Sequence, residues 1–328
     1  MKYRRLGKTE FRVSEISLGT WQVGGKWGEE FSHERADEIL NTAVDAGINF
    51  IDTADVYGGG ESEKAVGRLV RNRSEQIYVA TKCGRQLSPH VNDSYTPDAL
   101  RKFVEGSLKN MNLERLDLIQ LHCPPTEVYY RPEIFELFER LKDEGKIDQI
   151  GVSVEKVEEA LKAIEYPNVA TVQIIFNMFR QRPAELFFGE ASRRDVGIIV
   201  RVPLASGLLT GKFDEQTTFD KGDHRNFNRN GDAFDKGETF SGIDYQTGVE
   251  AARELQEVFP AYENLAPIAL RWILNFNEVS CIIPGASHPG QVVSNLHAQE
   301  IPMLSSAQLA AVQDIYERRI KNRVHHLW

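Results

Sequence analysis

Asp52, Tyr57, Lys82 and His122 are the residues of this chain whose types and spacing could do chemistry. Three of them stand where an apolar, strand-like run stops: Asp52 ends INFID, Lys82 ends IYVATK and His122 ends LDLIQLH. Tyr57 follows Asp52 by five positions, in the glycine-rich stretch DVYGGGESE, read as a loop. An acid, a phenol, an amine and an imidazole on one rim can move protons. A phenol, with a pKa of about 10, is a poor shuttle at neutral pH, but a nearby ammonium favours its anion. Lys82 would supply that charge, and Asp52 would hold it in place. Read singly, Asp52 could cap a loop and His122 could be a satisfied polar group at a strand end. Taken as a set, the four point to proton transfer.

That convergence requires parallel strands whose C-terminal ends share a rim. Eight short runs supply them: EISLGT, INFIDTA, IYVATK, LDLIQLH, QIGVSV, TVQIIF, GIIVRVPL and SCIIPGA. They are mostly continuous in apolar residues, as strands buried on both faces are. Helical patterns lie between them. One spans roughly 34–46 and stops at Gly47; one starts at Thr96 with Pro97 in its first turn; PEIFELFERLKDEG ends on Gly145. VEKVEEALKAI, PAELFFGEASRRD, GVEAARELQEVF and LAPIALRWILNF complete the alternation. The fold class expected is α/β, as a (β/α)8 TIM barrel, because no GxGxxG follows the first run as a doubly wound dinucleotide-binding sheet would require. YRRLGKTEFRVS reads as an N-terminal hairpin capping the barrel bottom, with Gly7 in its turn. Residues 213–245, polar and aperiodic, read as a long loop after the seventh strand, either a lid or disordered. SSAQLAAVQDIYERR reads as a capped helix before the tail KNRVHHLW. No linker or repeat interrupts residues 1–328, so one domain is expected.

Composition excludes more than it assigns. The chain has 328 residues, 41% hydrophobic and 27% charged, enough for a core without disulfides or a metal. A net charge of −9 argues against nucleic-acid binding. No run of about 20 apolar residues could span a bilayer, and MKYRRLGKTEF lacks a secretory apolar stretch, so a cytoplasmic location and no membrane partner are expected. Three cysteines, Cys83, Cys123 and Cys281, fit a reducing compartment. Cys83 and Cys123 directly follow Lys82 and His122, so a nucleophile is conceivable, but small buried thiols are the plainer reading. No metal-ligand spacing appears, and no metal is expected.

Read in order, GTWQVGG, GINFIDTADVYGGGESE, TKCG, LHCP, IGVS, VQIIFN, PLASGLLTGKF and IPGAS resemble the aldo-keto reductases. The likeness is greatest to their bacterial branch related to potassium-channel β-subunits, and it covers nearly the whole chain. The resemblance implies an NAD(P)H-dependent oxidoreductase that reduces aldehydes or ketones, or runs in reverse. Tyr57 would be general acid/base and His122 the residue orienting the carbonyl. It places Thr20, Trp21 and Asp52 beside the nicotinamide, and Ser153 and Gln173 on its carboxamide. Val154 stands where many members have Asn, with Asn177 a nearby replacement. The pyrophosphate would lie under Pro203, Leu204, Ser206, Gly207 and Lys212. Arg225 is the better candidate than Arg229 for a clamp from the lid. Gly285, Ser287, Gln291 and Asn295 would meet the adenosine end.

The cofactor implied is NADPH, with NADH possible. Gly285 stands where many NADPH-specific members carry Lys, and His288 where close relatives often carry Arg. Ser287, however, can donate to a phosphate. Arg201 takes the place of an aromatic ring usually stacked on the nicotinamide. It could stack there itself and disfavour the oxidised ring by its charge, or it could contact an acidic substrate or a loop carboxylate. Trp21 and Trp27, with Tyr57 and His122, would face a small carbonyl substrate, although the tryptophans and Phe31 could equally be packing residues. Two rival readings are an NADPH-binding regulatory or redox-sensing protein with little turnover, and a lyase or isomerase using Lys82 as a Schiff base.

Overall fold

The computed structural model describes residues 1–25 and 29–328. All eight apolar runs form strands: β3 (Leu18–Gly19), β4 (Phe50–Asp52), β5 (Tyr78–Cys83), β6 (Leu116–His122), β7 (Ile147–Ser153), β8 (Val169–Ile175), β9 (Gly197–Arg201) and β10 (Val279–Ile282). They pair in parallel in chain order from β3 to β10. Bridges Ile16–Ile282 and Gly19–Gly285 bring the two ends together. Across that seam Ser17 N donates to Ile282 O at 2.8 Å and Gly19 N to Pro284 O at 3.1 Å. Every residue of β8, β9 and β10 is buried, which is why these strands read as apolar runs rather than alternating ones.

Helices follow the strands on the outside. In chain order they are α1 (His33–Asp45), α2 (Glu61–Asn72), α3 (Pro97–Met111), α4 (Pro132–Asp143), α5 (Val157–Ala163), α6 (Phe187–Arg193), α7 (His224–Phe227), α8 (Tyr245–Val258), α9 (Ala266–Ile273), α10 (Pro289–Leu296) and α11 (Ser306–Ile315). The start and stop signals act as chemistry demands. Thr96 Oγ1 accepts the Ala99 N–H, Pro97 occupies the first helical turn, and Gly145 turns with φ 74° just past α4. Ser305 and Gln308 form a reciprocal capping box on α11. DVYGGGESE is not a loop throughout: residues 55–60 form the turn, and Glu61 already begins α2. Its buried face sets Ala65, Val66 and Leu69 at helical spacing, so α2 is amphipathic; its first turn, with buried Ser62 and Glu63, directly follows three glycines and so reads as part of the loop.

The hairpin β1 (Tyr3–Arg5) and β2 (Arg12–Ser14) closes the bottom. Leu6, Phe11 and Val13 cluster with Phe50, Ala80, Leu118 and Ile199 from the strands. Each such buried side chain contributes about 2 kcal/mol. Gly7 turns at φ 51°, and a β-carbon there would lie 2.2 Å from Gly197 N. The loop after β9 is ordered: α7 and two single turns, Lys236–Glu238 and Phe240–Gly242, interrupt it before α8. It packs over the opposite end of the barrel as a lid. Trp328 braces it from behind, donating from Nε1 to Asp235 Oδ1 at 2.8 Å, with the Arg180 guanidinium 4.0 Å from its ring centroid. Among the described residues no helix is long and apolar enough to cross a membrane.

Gly7→Ala should lower stability by about 3 kcal/mol, through both the left-handed backbone and the collision with β9. The midpoint of urea unfolding measures this, and an unchanged midpoint would refute the close approach.

Candidate active site

The strands deliver Asp52, Lys82 and His122 to one rim, and the turn after β4 returns Tyr57 over them. Gly58, Gly59 and Gly60 make this return with φ of 57°, 63° and 94°, values that side-chain-bearing residues rarely adopt. Lys82 is 1% exposed, and its ammonium has three acceptors. Nζ donates to Asp52 Oδ2 at 2.5 Å, to Thr53 O at 2.8 Å and to Tyr57 Oη at 3.3 Å. The Tyr57 oxygen therefore accepts a hydrogen bond from below, which leaves its own O–H to point at whatever occupies the mouth. The Tyr57 and His122 rings meet edge to face with centroids 6.1 Å apart.

Behind this group lies a polar layer built from alternate strands β4, β6 and β8. Asp52 Oδ1 accepts from Gln120 Nε2 at 3.1 Å and from Gln173 Nε2 at 2.7 Å. Gln120 was not anticipated, although it sits two residues before His122 and so on the same face of β6. Burial opposes the charge on Lys82, but Asp52 and Tyr57 outweigh it and raise its pKa. Burial raises that of Tyr57, and the Lys82 charge pulls the other way. Lys82 thus acts in the expected direction without bringing the phenol below its ordinary value. Burial, helped by the charges of Arg85, Lys82 and Arg201, holds His122 well below the usual imidazole range. A neutral imidazole results, with its buried Nδ1 unpartnered. Cys83 and Cys123 are buried with raised pKa values, as inert thiols are.

Of the remaining predicted residues, Thr20, Ser153 and Arg201 stand at or just past the C-terminal ends of β3, β7 and β9, on the same rim. Thr20 Oγ1 donates to Asp52 O at 3.1 Å and accepts from Ser62, joining β3, β4 and α2. The Trp21 ring lies 4.7 Å from that of His224 and 6.2 Å from that of Phe234, under the lid. Trp27 lies outside the described residues. Phe31 packs on Gly24 and Gly58. Ser153 ends β7 and is paired with Gln173 of β8. Asn177 is not available as a carboxamide ligand, because its Nδ2 donates to Val202 O and Ser241 Oγ. Pro203 and Leu204 lead into Ala205–Gly207, three successive residues at positive φ, and Ser206 Oγ accepts from Phe240 N of the lid. Gly207 lies against Phe213 and Arg225, and Arg225 is gripped by both oxygens of Asp223. Lys212 is exposed. Gly285 is open, Ser287 donates twice to Gln291 Oε1 ahead of α10, and Asn295 is buried at the far end of that helix.

Arg201 meets loop carboxylates, one of the alternatives weighed for it. Its Nη2 donates to Glu155 Oε2 at 2.9 Å and Val154 O at 3.1 Å, and its Nη1 lies 3.1 Å from Glu238 Oε2. Arg85 Nη2 donates to the other Glu238 oxygen at 3.0 Å. Burial raises Glu155, whereas Arg85 and Arg201 overcome burial to hold Glu238 low. Backbone strain is concentrated here too. Cys123, Val202, Ala205, Ser206, Phe240 and Ser241 all have positive φ, unusual for residues with side chains.

Comparison with known proteins agrees with this geometry. The sequence profile of the Aldo/keto reductase family matches residues 15–317, and the chain belongs to that family. It is 29% identical to the NADH-specific methylglyoxal reductase of Escherichia coli over 97% of this chain and 99% of that one. It is 27% identical to a probable voltage-gated potassium channel subunit beta of Arabidopsis thaliana, over 98% of each. The solved structure of the glycerol dehydrogenase AKR11B4 from Gluconobacter oxydans superposes with a TM-score of 0.78 at 29% identity, covering 97% and 96% of the two chains.

Asp55, between Asp52 and Tyr57, is 3% exposed with neither carboxylate oxygen hydrogen-bonded. Burial first, then the charge of Glu63, pushes its pKa up to about 7. The folded state therefore keeps a proton that the unfolded chain releases. This contribution is complete below the unfolded pKa of 3.8 and is lost as pH rises through about 7. Asp55→Asn should be more stable than the parent at pH 8 by about 4 kcal/mol relative to their difference at pH 4. Urea unfolding at the two pH values measures this, and equal differences would show that Asp55 is ionised in the fold.

Proposed function

We propose that this aldo/keto reductase family member is an NAD(P)H-dependent oxidoreductase reducing small aldehydes or ketones to alcohols, or the reverse, with Tyr57 as general acid/base. The observation that carries the reading is the triple coordination of Lys82. An ammonium saturated by Asp52, Thr53 O and Tyr57 Oη can serve only the phenol, and the phenol's own proton is directed outward. A Schiff base at Lys82 would require a free amine, which its raised pKa and its three partners oppose.

The chain's residues fit a dinucleotide on the rim. Ser153 ends β7 and is paired with Gln173 of β8. The positive-φ loop Ala205–Gly207 lies against Arg225, and Ser287 with Gln291 stands at the start of α10. When bound, the reduced nicotinamide supplies the hydride, which no side chain can. Tyr57 gives its proton to the carbonyl oxygen, and Lys82 stabilises the phenolate that remains. His122, neutral over the working range, donates to that oxygen without competing as an acid. Asp52, fixed by Gln120 and Gln173, keeps Lys82 charged. Trp21, Phe234 and His224 cover the mouth and exclude water. NADPH is the cofactor favoured, on the donor Ser287.

Tyr57→Phe should lower kcat by about a thousandfold, while the dissociation constant for NADPH, read from protein fluorescence, stays within about threefold. A carbonyl panel with NADPH and with NADH provides the assay. Unimpaired turnover in this variant would remove Tyr57 from the mechanism, and no turnover in the parent would favour a nucleotide-binding regulatory protein.

A further inference from the structure

Arg85 and Arg201 come from different places, the loop after β5 and the end of β9, yet converge beside the Tyr57–His122 pair. The charges of both help keep His122 neutral, and the Arg201 charge and the Tyr57 oxygen act on one another. Both guanidiniums are occupied by one carboxylate, Glu238, whose two oxygens they divide at 3.0 and 3.1 Å. The Glu238 carboxylate comes from the lid, in the turn Lys236–Glu238, and not from the barrel. Phe234 of the same segment lies over Arg85, 5.8 Å from guanidinium carbon to ring centroid, and beside Trp21. The acid is thus carried into the pocket by the element that covers it. A purely structural ion pair would need neither a place among the reacting groups nor a partner from the lid.

The charges do not balance. Arg201 is 9% exposed along its side chain, and its Nε has no partner. Burial favours the neutral form of Glu155, and two guanidiniums divide the one carboxylate of Glu238. Guanidiniums recognise planar oxyanions through paired N–H donors, which is how each now meets Glu238 in part.

We infer that the Arg85–Arg201 pair is the binding site for a carboxylate on the carbonyl substrate, and that Glu238 occupies it until such a substrate enters. The inference rests on the carbonyl-reducing reading above and narrows its substrate class to oxo acids and aldehyde acids. The carboxylate takes the paired donors, Glu238 withdraws with its segment of the lid, and the carbonyl is left facing Tyr57 and His122.

Succinic semialdehyde and butanal, which differ by a carboxylate in place of a methyl, test this. Assayed with NADPH and NADH, the acid should show a kcat/KM at least about tenfold higher. Arg85→Met should bring the acid-to-neutral ratio towards one. Glu238→Gln, which removes the competing carboxylate, should raise it. A ratio at or below one in the parent, or an unchanged ratio in Arg85→Met, overturns the inference. If Arg85→Met does not fold, an unchanged or lower ratio in Glu238→Gln overturns it as well. Turnover of butanal without preference for the acid removes this inference alone. Failure of every carbonyl in the panel removes the reduction reading beneath it.

Discussion

The contact on which the rest of the structure depends is the buried pair of Lys82 and Asp52. Such a pair is expensive to remove from water and is retained only where each remaining lone pair and proton is satisfied. Here the surroundings supply those partners. Gln120 and Gln173 hold the second carboxylate oxygen, and Thr53 O and Tyr57 Oη take the other two ammonium protons. Strands β4, β5, β6 and β8 and the turn bearing Tyr57 are all drawn to this one contact. The barrel thus holds a charged centre in its upper layers and an apolar one at the hairpin end, where Leu6, Phe11 and Phe50 meet. The division matches the roles of the two ends, with chemistry above and cohesion below.

Much of this was legible in the amino acids, and the reasons are physical. Strands such as β8, buried on both faces, must be apolar throughout, so their run is unmistakable. The convergence of Asp52, Lys82 and His122 follows from strand ends sharing a rim. Helix α2 was hidden because it begins directly after three glycines and its first turn buries the polar Ser62 and Glu63, although Ala65, Val66 and Leu69 give it an amphipathic face. The Glu63 carboxylate is satisfied by Thr81 Oγ1 and Asn110 Nδ2, a tertiary fact that no local pattern contains.

The lid and the arginine cluster were harder to read for a related reason. Polar anchors such as Asn228, whose Oδ1 accepts from Ala233 and Phe234, hold the lid without a repeating apolar face. Arg85, Glu155, Arg201 and Glu238 lie on four separate segments and have no characteristic spacing. Arg201 stood out only against the family resemblance, and its partners emerged only from the fold. Gln120 is the intermediate case: the two-residue alternation of β6 already placed it beside His122.

The left-handed residues around the mouth carry a consequence for how such a protein can change. Val202, Ala205, Ser206, Phe240 and Ser241 occupy conformations that glycine would adopt with less strain. A selection for heat tolerance would find easy gains at these positions, by relaxing them or by letting the lid settle elsewhere. Those gains would come from the segments that arrange the mouth. The hairpin end has left-handed residues too, Glu10 and Asp195, but they lie away from the mouth, so an evolving lineage can harden its base freely while its opening stays comparatively soft.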